Sequence, residues 1–115
     1  MTKRKKLEPI QEDVKYLKDT LYVMGGKWKL HILLALGMGN KRFKEIQRSI
    51  PGITSRVLSK ELKELELNQI IARKVDTNLV TKVDYEVLTY CKSFDPIIKL
   101  MIEWGKQHRK VVTGK

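Results

Sequence analysis

Residues 52–67 constrain the fold of this chain more than any other stretch. They read GITSRVLSKELKELEL and follow a proline, so we expect a turn that leads into a helix with Thr54 as its N-cap. On one side of this helix apolar residues recur at helical spacing, at Leu58, Leu62 and Leu65. Another side carries hydroxyl groups and cations and almost nothing else, at Ser55, Arg56, Ser59, Lys60 and Lys63. Such a helix must bury its leucines against other elements and leave its polar side in solvent.

The polar side of this helix has the chemistry of a DNA recognition helix. Hydroxyl and amine groups bond phosphate oxygens, and the guanidinium group of Arg56 can donate two hydrogen bonds to the edge of a guanine. An ordinary amphipathic surface helix would show the same pattern. The neighbouring segments must distinguish these two interpretations.

A shorter helix precedes the turn and completes a helix-turn-helix pattern. Residues 41–48 read KRFKEIQR and place Phe43 and Ile46 on one side, and residues 50–53 contain a Pro-Gly turn. Residues 41–63 hold seven basic and two acidic side chains, a net charge of +5, whereas the whole chain of 115 residues has +11. Nearly half of the excess charge therefore lies in a fifth of the sequence, which favours a polyanionic partner such as DNA. In this segment we expect Lys41 and Arg42 to bind the DNA backbone.

Two β-rich segments follow the recognition helix. Residues 70–75 form a β-branched run and residues 82–88 alternate apolar and polar side chains, so we expect a hairpin with a loop at 76–81. A hairpin directly after a recognition helix is a wing, which can reach the DNA backbone or the minor groove. The predicted wing contacts are Lys74, Asn78 and Lys82. The alternative is a hairpin that only closes the core.

The terminal segments predict further helices. Residues 1–10 are basic and predict a flexible arm, and helices are expected at 11–23, at 27–36 and at 89–110. In the last of these, Thr89 is the expected cap and Asp95 a second N-cap before Pro96. The apolar stripe of this helix exceeds what the core of a small domain needs, so a homodimer is its simplest partner. The predicted dimer contacts are Leu17, Leu21, Phe94, Ile97, Leu100, Met101 and Trp104.

The composition argues against several other classes of function. Cys91 is the single cysteine, which excludes an internal disulfide and a zinc cluster built from cysteines. No catalytic set, phosphate loop or metal-ligand spacing is recognisable, and no run of about 18 apolar residues exists. The sequence therefore predicts a cytoplasmic protein that is not an enzyme and needs no cofactor, metal or membrane.

Several short motifs occur together in an order and spacing typical of one family. They are Gly-Gly-Lys-Trp at 25–28, Lys-Arg-Phe-Lys-Glu-Ile at 41–46, Ile-Pro-Gly-Ile at 50–53, the leucines of the recognition helix, Val-Asp-Tyr at 83–85 followed by Leu-Thr at 88–89, and Trp-Gly at 104–105. Over residues 14–106 the chain resembles the bacterial HxlR-type winged helix-turn-helix regulators, which are relatives of the MarR group. The resemblance implies an α+β, mainly helical fold with one domain over 11–115. In that domain the helix-turn-helix spans 42–67 and the wing 70–88, with dimerisation helices at both ends.

The resemblance also implies a function. It implies a dimeric, sequence-specific regulator of transcription that binds double-stranded DNA, with the helix after Thr54 in the major groove. A non-specific architectural DNA-binding protein and a winged-helix module that binds another protein remain as alternatives. Winged-helix regulators often bind small molecules, so an unidentified effector is a further expected partner, although no polar cluster in the sequence identifies it.

The sequence departs from the family pattern in two places. Many relatives carry a cysteine in the N-terminal segment, and some sense oxidants with it, but this segment has none. That route to redox sensing is therefore unsupported, and we expect Cys91 to serve in packing rather than in sensing. Residues 90–93 lack the glycine that usually follows the Leu-Thr pair, which leaves the start of the last helix open.

Overall fold

Four helices, a β-hairpin and a final helical segment follow one another along the chain, in a computed structural model that describes residues 7–78 and 82–115. The helices are α1 (Leu7–Met24), α2 (Lys29–Gly37), α3 (Phe43–Ser49), α4 (Ser55–Leu67) and α5 (Asp95–Thr113), the strands are β1 (Ile71–Asp76) and β2 (Lys82–Val87), and a 3₁₀ helix (Thr89–Phe94) lies between β2 and α5. The predicted fold, mainly helical with a helix-turn-helix and a hairpin, is confirmed.

The core forms around the leucines of α4. Leu58, Leu62 and Leu65 are almost completely buried, together with Ile32 of α2 and Ile46 of α3. Burial of an aliphatic side chain of this size contributes about 1.5–3 kcal/mol. The apolar side of α4 therefore holds α2, α3 and α4 together, as its spacing predicts.

Local hydrogen bonds fix the helix-turn-helix at the helix ends. The hydroxyl oxygen of Thr54 accepts a hydrogen bond from the backbone N–H of Val57 at 3.2 Å, which confirms the predicted N-cap. Gly52 has φ +87°, a conformation that a glycine adopts without strain in the turn. At the start of α3, a carboxylate oxygen of Glu45 accepts from the backbone N–H groups of Lys41 and Arg42, and these bonds lower the pKa of Glu45.

The hairpin is attached to the segment that precedes α3. β1 and β2 pair antiparallel, with Ile71 opposite Val87, and the backbone N–H of Tyr85 donates to the carbonyl of Lys41 at 2.8 Å. Residues 41 and 85 thus extend the sheet hydrogen bonding beyond the second strand, and this bond connects the wing to the residues just before α3. Residues 79–81, at the tip of the predicted loop, lie outside the described residues.

Both terminal helices differ from the predictions in their boundaries. α1 begins at Leu7, inside the stretch expected to be an arm. Pro9 is compatible with this start, since it falls in the first helical turn, where its missing N–H removes no helical hydrogen bond. Residues 1–6 lie outside the described part of the chain. The last helical segment begins as a 3₁₀ helix with Leu88 as its N-cap, and not Thr89.

The prediction of Asp95 as a second N-cap was also wrong. Phe94, the residue before it, already has the dihedral angles of a right-handed helix, so the 3₁₀ helix runs directly into α5. An N-cap residue needs an extended backbone, and the chain has none here. Asp95 is therefore the first residue of α5, and its carboxylate pairs with Lys99 at 3.2 Å.

The two terminal helices leave much apolar surface uncovered. Every residue from 10 to 22 on α1 is exposed, and Ile98 is the buried residue of α5. The exposed fractions of Leu17, Leu21, Leu100 and Trp104 lie between 58% and 70%. Phe94, by contrast, is half-buried against the core. Within residues 7–78 and 82–115, no helix combines the length and the apolar character that crossing a bilayer requires.

We expect Leu62→Ala to lower the free energy of unfolding by about 2–5 kcal/mol, because Leu62 is 2% exposed and its truncation leaves a cavity between helices. The matched control is Leu67→Ala on the same helix, where the side chain is 73% exposed and the change should be within about 0.5 kcal/mol. Urea unfolding at a fixed protein concentration measures both. Equal losses for the two variants would contradict the position of Leu62 in the core.

Candidate nucleic-acid interface

All the residues predicted to contact DNA are exposed. They are Lys41, Arg42, Thr54, Ser55, Arg56, Ser59, Lys60, Lys63, Lys74, Asn78 and Lys82. The six on or next to α4 lie on the helix faces left free by its buried leucines. The core therefore determines which side of α4 is available to a ligand.

Gln47 joins the candidate interface, although the sequence did not single it out. Its side-chain amide donates to the hydroxyl oxygen of Ser55 at 3.0 Å, so it links α3 to the first residue of α4. An amide group can also read the edge of an adenine. The available signal was its position one turn before the Pro-Gly turn, on the helix that precedes α4.

Two predicted phosphate-binding cations are paired with carboxylates of the wing. The Nε atom of Arg42 lies 3.3 Å from a carboxylate oxygen of Asp84, and the Nζ atom of Lys74 lies 2.7 Å from one of Glu86. The hydrogen bond from Lys74 lowers the pKa of Glu86, which stays ionised. All four side chains are about half exposed or more, and ion pairs of this kind contribute about 0–1 kcal/mol. A DNA phosphate could therefore replace either carboxylate at little cost.

Side-chain contacts connect some of the residues predicted to bind DNA to other elements of the fold, but not all of them. Arg42 is joined to the wing and Ser55 to α3, whereas within residues 7–78 and 82–115 no hydrogen bond or ion pair joins Lys74 or Lys82 to α4. Asn78 is held locally, since its backbone N–H donates to the carboxylate of Asp76 at 3.1 Å. Three more exposed cations, Lys44, Arg48 and Arg73, were not among the predicted DNA contacts. The first two could have been found from their i, i+4 spacing on α3.

A buried ion pair joins α2 to α4. Lys29 donates to carboxylate oxygens of Glu61 and Glu64, both at 2.7 Å. Desolvation by burial acts to lower the pKa of Lys29, but the hydrogen bonds to the two carboxylates outweigh it and the pKa lies above its ordinary value. Lys29 is therefore charged, and it fixes α4 against α2 by a contact that no sequence pattern indicated.

A cavity of about 520 Å³ lies between α2, β2, the 3₁₀ helix and α5. Leu33, Leu36 and Ile98 supply apolar surface, and Lys41, Glu86, Lys92 and Asp95 are exposed charged residues along its lining. Cys91 is buried in the same wall, and its thiol lies 3.7 Å from the carbonyl oxygen of Gln69. The cavity thus touches both the wing and the last helix.

Comparisons with known proteins agree with this architecture. The family model for HxlR-like helix-turn-helix proteins matches residues 23–113. The helix-turn-helix-type transcriptional regulator YtcD of Bacillus subtilis (strain 168) is 41% identical over 98 residues, which cover 85% of this chain and 78% of the relative. YybR, a regulator of the same type and organism, is 37% identical over 112 residues, covering 97% and 89%. The solved structure of the redox regulator HypR in its reduced form superposes with a TM-score of 0.78 at 37% identity, covering 87% of this chain and 99% of that one. The chain therefore belongs to the HxlR-like helix-turn-helix family of DNA-binding transcriptional regulators.

Proposed function

We propose that this protein acts as a homodimer that binds specific double-stranded DNA sequences, with α4 of each protomer in the major groove. The observation that carries the proposal is the exposed hydroxyl and cation side of α4, on a helix whose opposite side is anchored in the core. A helix of 13 residues is about 20 Å long, which suits the major groove. Such a regulator would act in the cytoplasm and would need no catalytic residues.

The residues would divide between base readout and backbone contact. Residues near the N-terminus of a recognition helix contact base edges, so Arg56, the second residue of α4, is our first candidate for base readout. Ser55, Ser59, Lys60 and Lys63 would share base and phosphate contacts, with Thr54 beside them as the cap. Lys41, Arg42, Lys74, Asn78 and Lys82 would mainly bind the backbone.

The central test is fluorescence anisotropy with DNA from upstream of the protein's own gene and with a scrambled duplex, at several salt concentrations. We expect a preference of about 10³-fold or more for the specific duplex. Equal affinity for both, and for the products of a random-sequence selection, would favour a non-specific architectural protein. No binding at about 150 mM salt would favour a module that binds another protein.

In the same assay, Arg56→Ala and Lys82→Ala should act differently. Arg56→Ala should cost about 1–3 kcal/mol on the preferred sequence and relax one base position. Lys82→Ala should weaken binding to all sequences alike and reduce the salt slope by about 0.9, since one phosphate contact is lost. Identical effects of both variants on every sequence would contradict this division of roles.

Homodimerisation is supported by the apolar surface on the terminal helices. Leu17 and Leu21 of α1 and Ile97, Leu100, Met101 and Trp104 of α5 are all exposed in the single chain. A second protomer is the simplest cover for these two helices. It would also set two copies of α4 about 34–36 Å apart on successive turns of DNA.

We expect Leu100→Lys to convert a dimer into a monomer, because the new charge would be buried in the interface. The matched control is Leu67→Lys, which introduces the same charge at an equally exposed leucine of α4 and should remain dimeric. Sedimentation equilibrium distinguishes the two states. A Leu100→Lys variant that stays fully dimeric would exclude Leu100 from the interface.

A small-molecule effector remains part of the proposal, with the cavity beside Leu36 as its site. Gly37 lines this cavity, and a Cβ atom added there would meet only Asp95, at an ordinary contact distance of 3.8 Å. Gly37→Leu should therefore narrow the cavity and reduce any shift in unfolding temperature caused by small apolar acids or amines. A shift of unchanged size in Gly37→Leu would show that such compounds bind elsewhere.

A further inference from the structure

Four charged side chains of α2 and α4 form one cluster with a regular arrangement. The Oε1 atoms of Glu61 and Glu64 both lie 2.7 Å from the Nζ atom of Lys29. Their Oε2 atoms lie on the side of Lys60, at 3.6 Å from its Nζ atom for Glu61 and at 3.1 Å for Glu64. Two carboxylates thus bridge two ammonium groups, and the four charges sum to zero.

The two lysines differ in their exposure to solvent. The side chains of Lys29 and Glu61 are 9% and 11% exposed, that of Glu64 is 38% exposed and that of Lys60 is 68% exposed. Removing one partner of a buried ion pair is strongly unfavourable, whereas an exposed pair contributes little. Lys29 is therefore the permanent partner of the carboxylates, and Lys60 is the exchangeable one.

The cluster determines whether Glu61 and Glu64 remain neutralised when the Lys60 ammonium group leaves them to bind another anion, such as a phosphate. With Lys29 in place, both carboxylates keep a hydrogen-bonded cation after Lys60 leaves. Without Lys29, the partly buried carboxylates would depend on Lys60 for neutralisation. The Lys60 ammonium group would then be retained by them, at the cost of any contact with DNA.

We infer that Lys29 is a positioning residue for DNA binding: it holds the inner oxygens of Glu61 and Glu64, which frees Lys60 to bind a phosphate. This role rests on the proposed function, in which Lys60 faces the DNA. Lys29 itself is buried and acts only through the two carboxylates. Two hydrogen bonds lower the pKa of Glu64, and the bond from Lys29 has a larger effect than the bond from Lys60. This ranking agrees with Lys29 as the main partner of the carboxylate.

The test is the salt slope of DNA binding in wild type, Lys29→Met, Lys60→Gln and the double variant, with any duplex that the wild type binds. Each phosphate contact contributes about 0.9 to this slope. Lys60→Gln should lower the slope by about 0.9 in the wild type and leave it unchanged in the Lys29→Met background. Adding Glu61→Gln and Glu64→Gln to Lys29→Met should restore the wild-type slope, because Lys60 then has no carboxylate to neutralise.

Lys63→Gln is the matched control, since Lys63 is an exposed lysine of α4 outside the cluster. Its effect on the slope should be the same in both backgrounds. If Lys60→Gln also lowers the slope equally in both backgrounds, the inference is overturned. Duplexes bound with equal affinity would overturn the sequence-specific function but not the inference, since every duplex carries phosphate. Failure to bind any duplex would overturn both.

A second measurement uses the wild-type protein, in case Lys29→Met does not fold. The ¹⁵N signals of the lysine ammonium groups are recorded with and without DNA. The Lys60 signal should shift on binding, while the Lys29 signal should keep its position. A Lys60 signal that does not change would overturn the inference.

Discussion

The burial of three leucines on α4 is the constraint on which the other features of this protein depend. Leu58, Leu62 and Leu65 occupy the centre of the core, so the helix cannot rotate about its axis without exposing them. The polar side of the same helix is fixed in direction as a result. The same 13 residues of α4 therefore contribute to the core on one side and form the candidate DNA surface on the other. The hydrogen bond to the Thr54 side chain fixes the start of this helix.

Ion pairs on and beneath the candidate DNA surface are the second feature of this arrangement. The chain has a net charge of +11, yet Arg42, Lys60 and Lys74 of the candidate interface are each paired with a carboxylate. The three cations are themselves exposed, so a phosphate can compete with the carboxylates for them. The pair between Lys29 and Glu61 is different because it is buried, and it ties the orientation of α4 to α2. The candidate interface thus has exposed cations whose carboxylate partners can be replaced, and beneath them the buried Lys29–Glu61 pair, which stabilises the position of α4.

The terminal helices show that the single chain does not cover all of its apolar surface. α1 is exposed over residues 10–22, and α5 buries Ile98 while leaving Leu100 and Trp104 in solvent. The cavity beside Leu36 is bounded on one side by α5 and on another by β2. A change in the position of α5 would therefore alter the cavity wall that the wing shares.

The sequence by itself determined the helix-turn-helix, the hairpin and the exposed residues of α4, because these follow from side-chain periodicity and from turn and cap residues close together in the chain. It also indicated the apolar stripe of α5, which depends only on helical spacing. The sequence could not predict the contacts of Lys29 with Glu61 or of Arg42 with Asp84, which join residues 32 and 42 positions apart. The prediction of Asp95 as an N-cap was wrong because the residue before it, Phe94, already has helical dihedral angles. Only the tertiary structure decided these points, since each ion pair joins residues that are distant in the chain and that folding brings together. The start of α5 depends on the backbone conformation of Phe94, which the residue types around Asp95 do not determine.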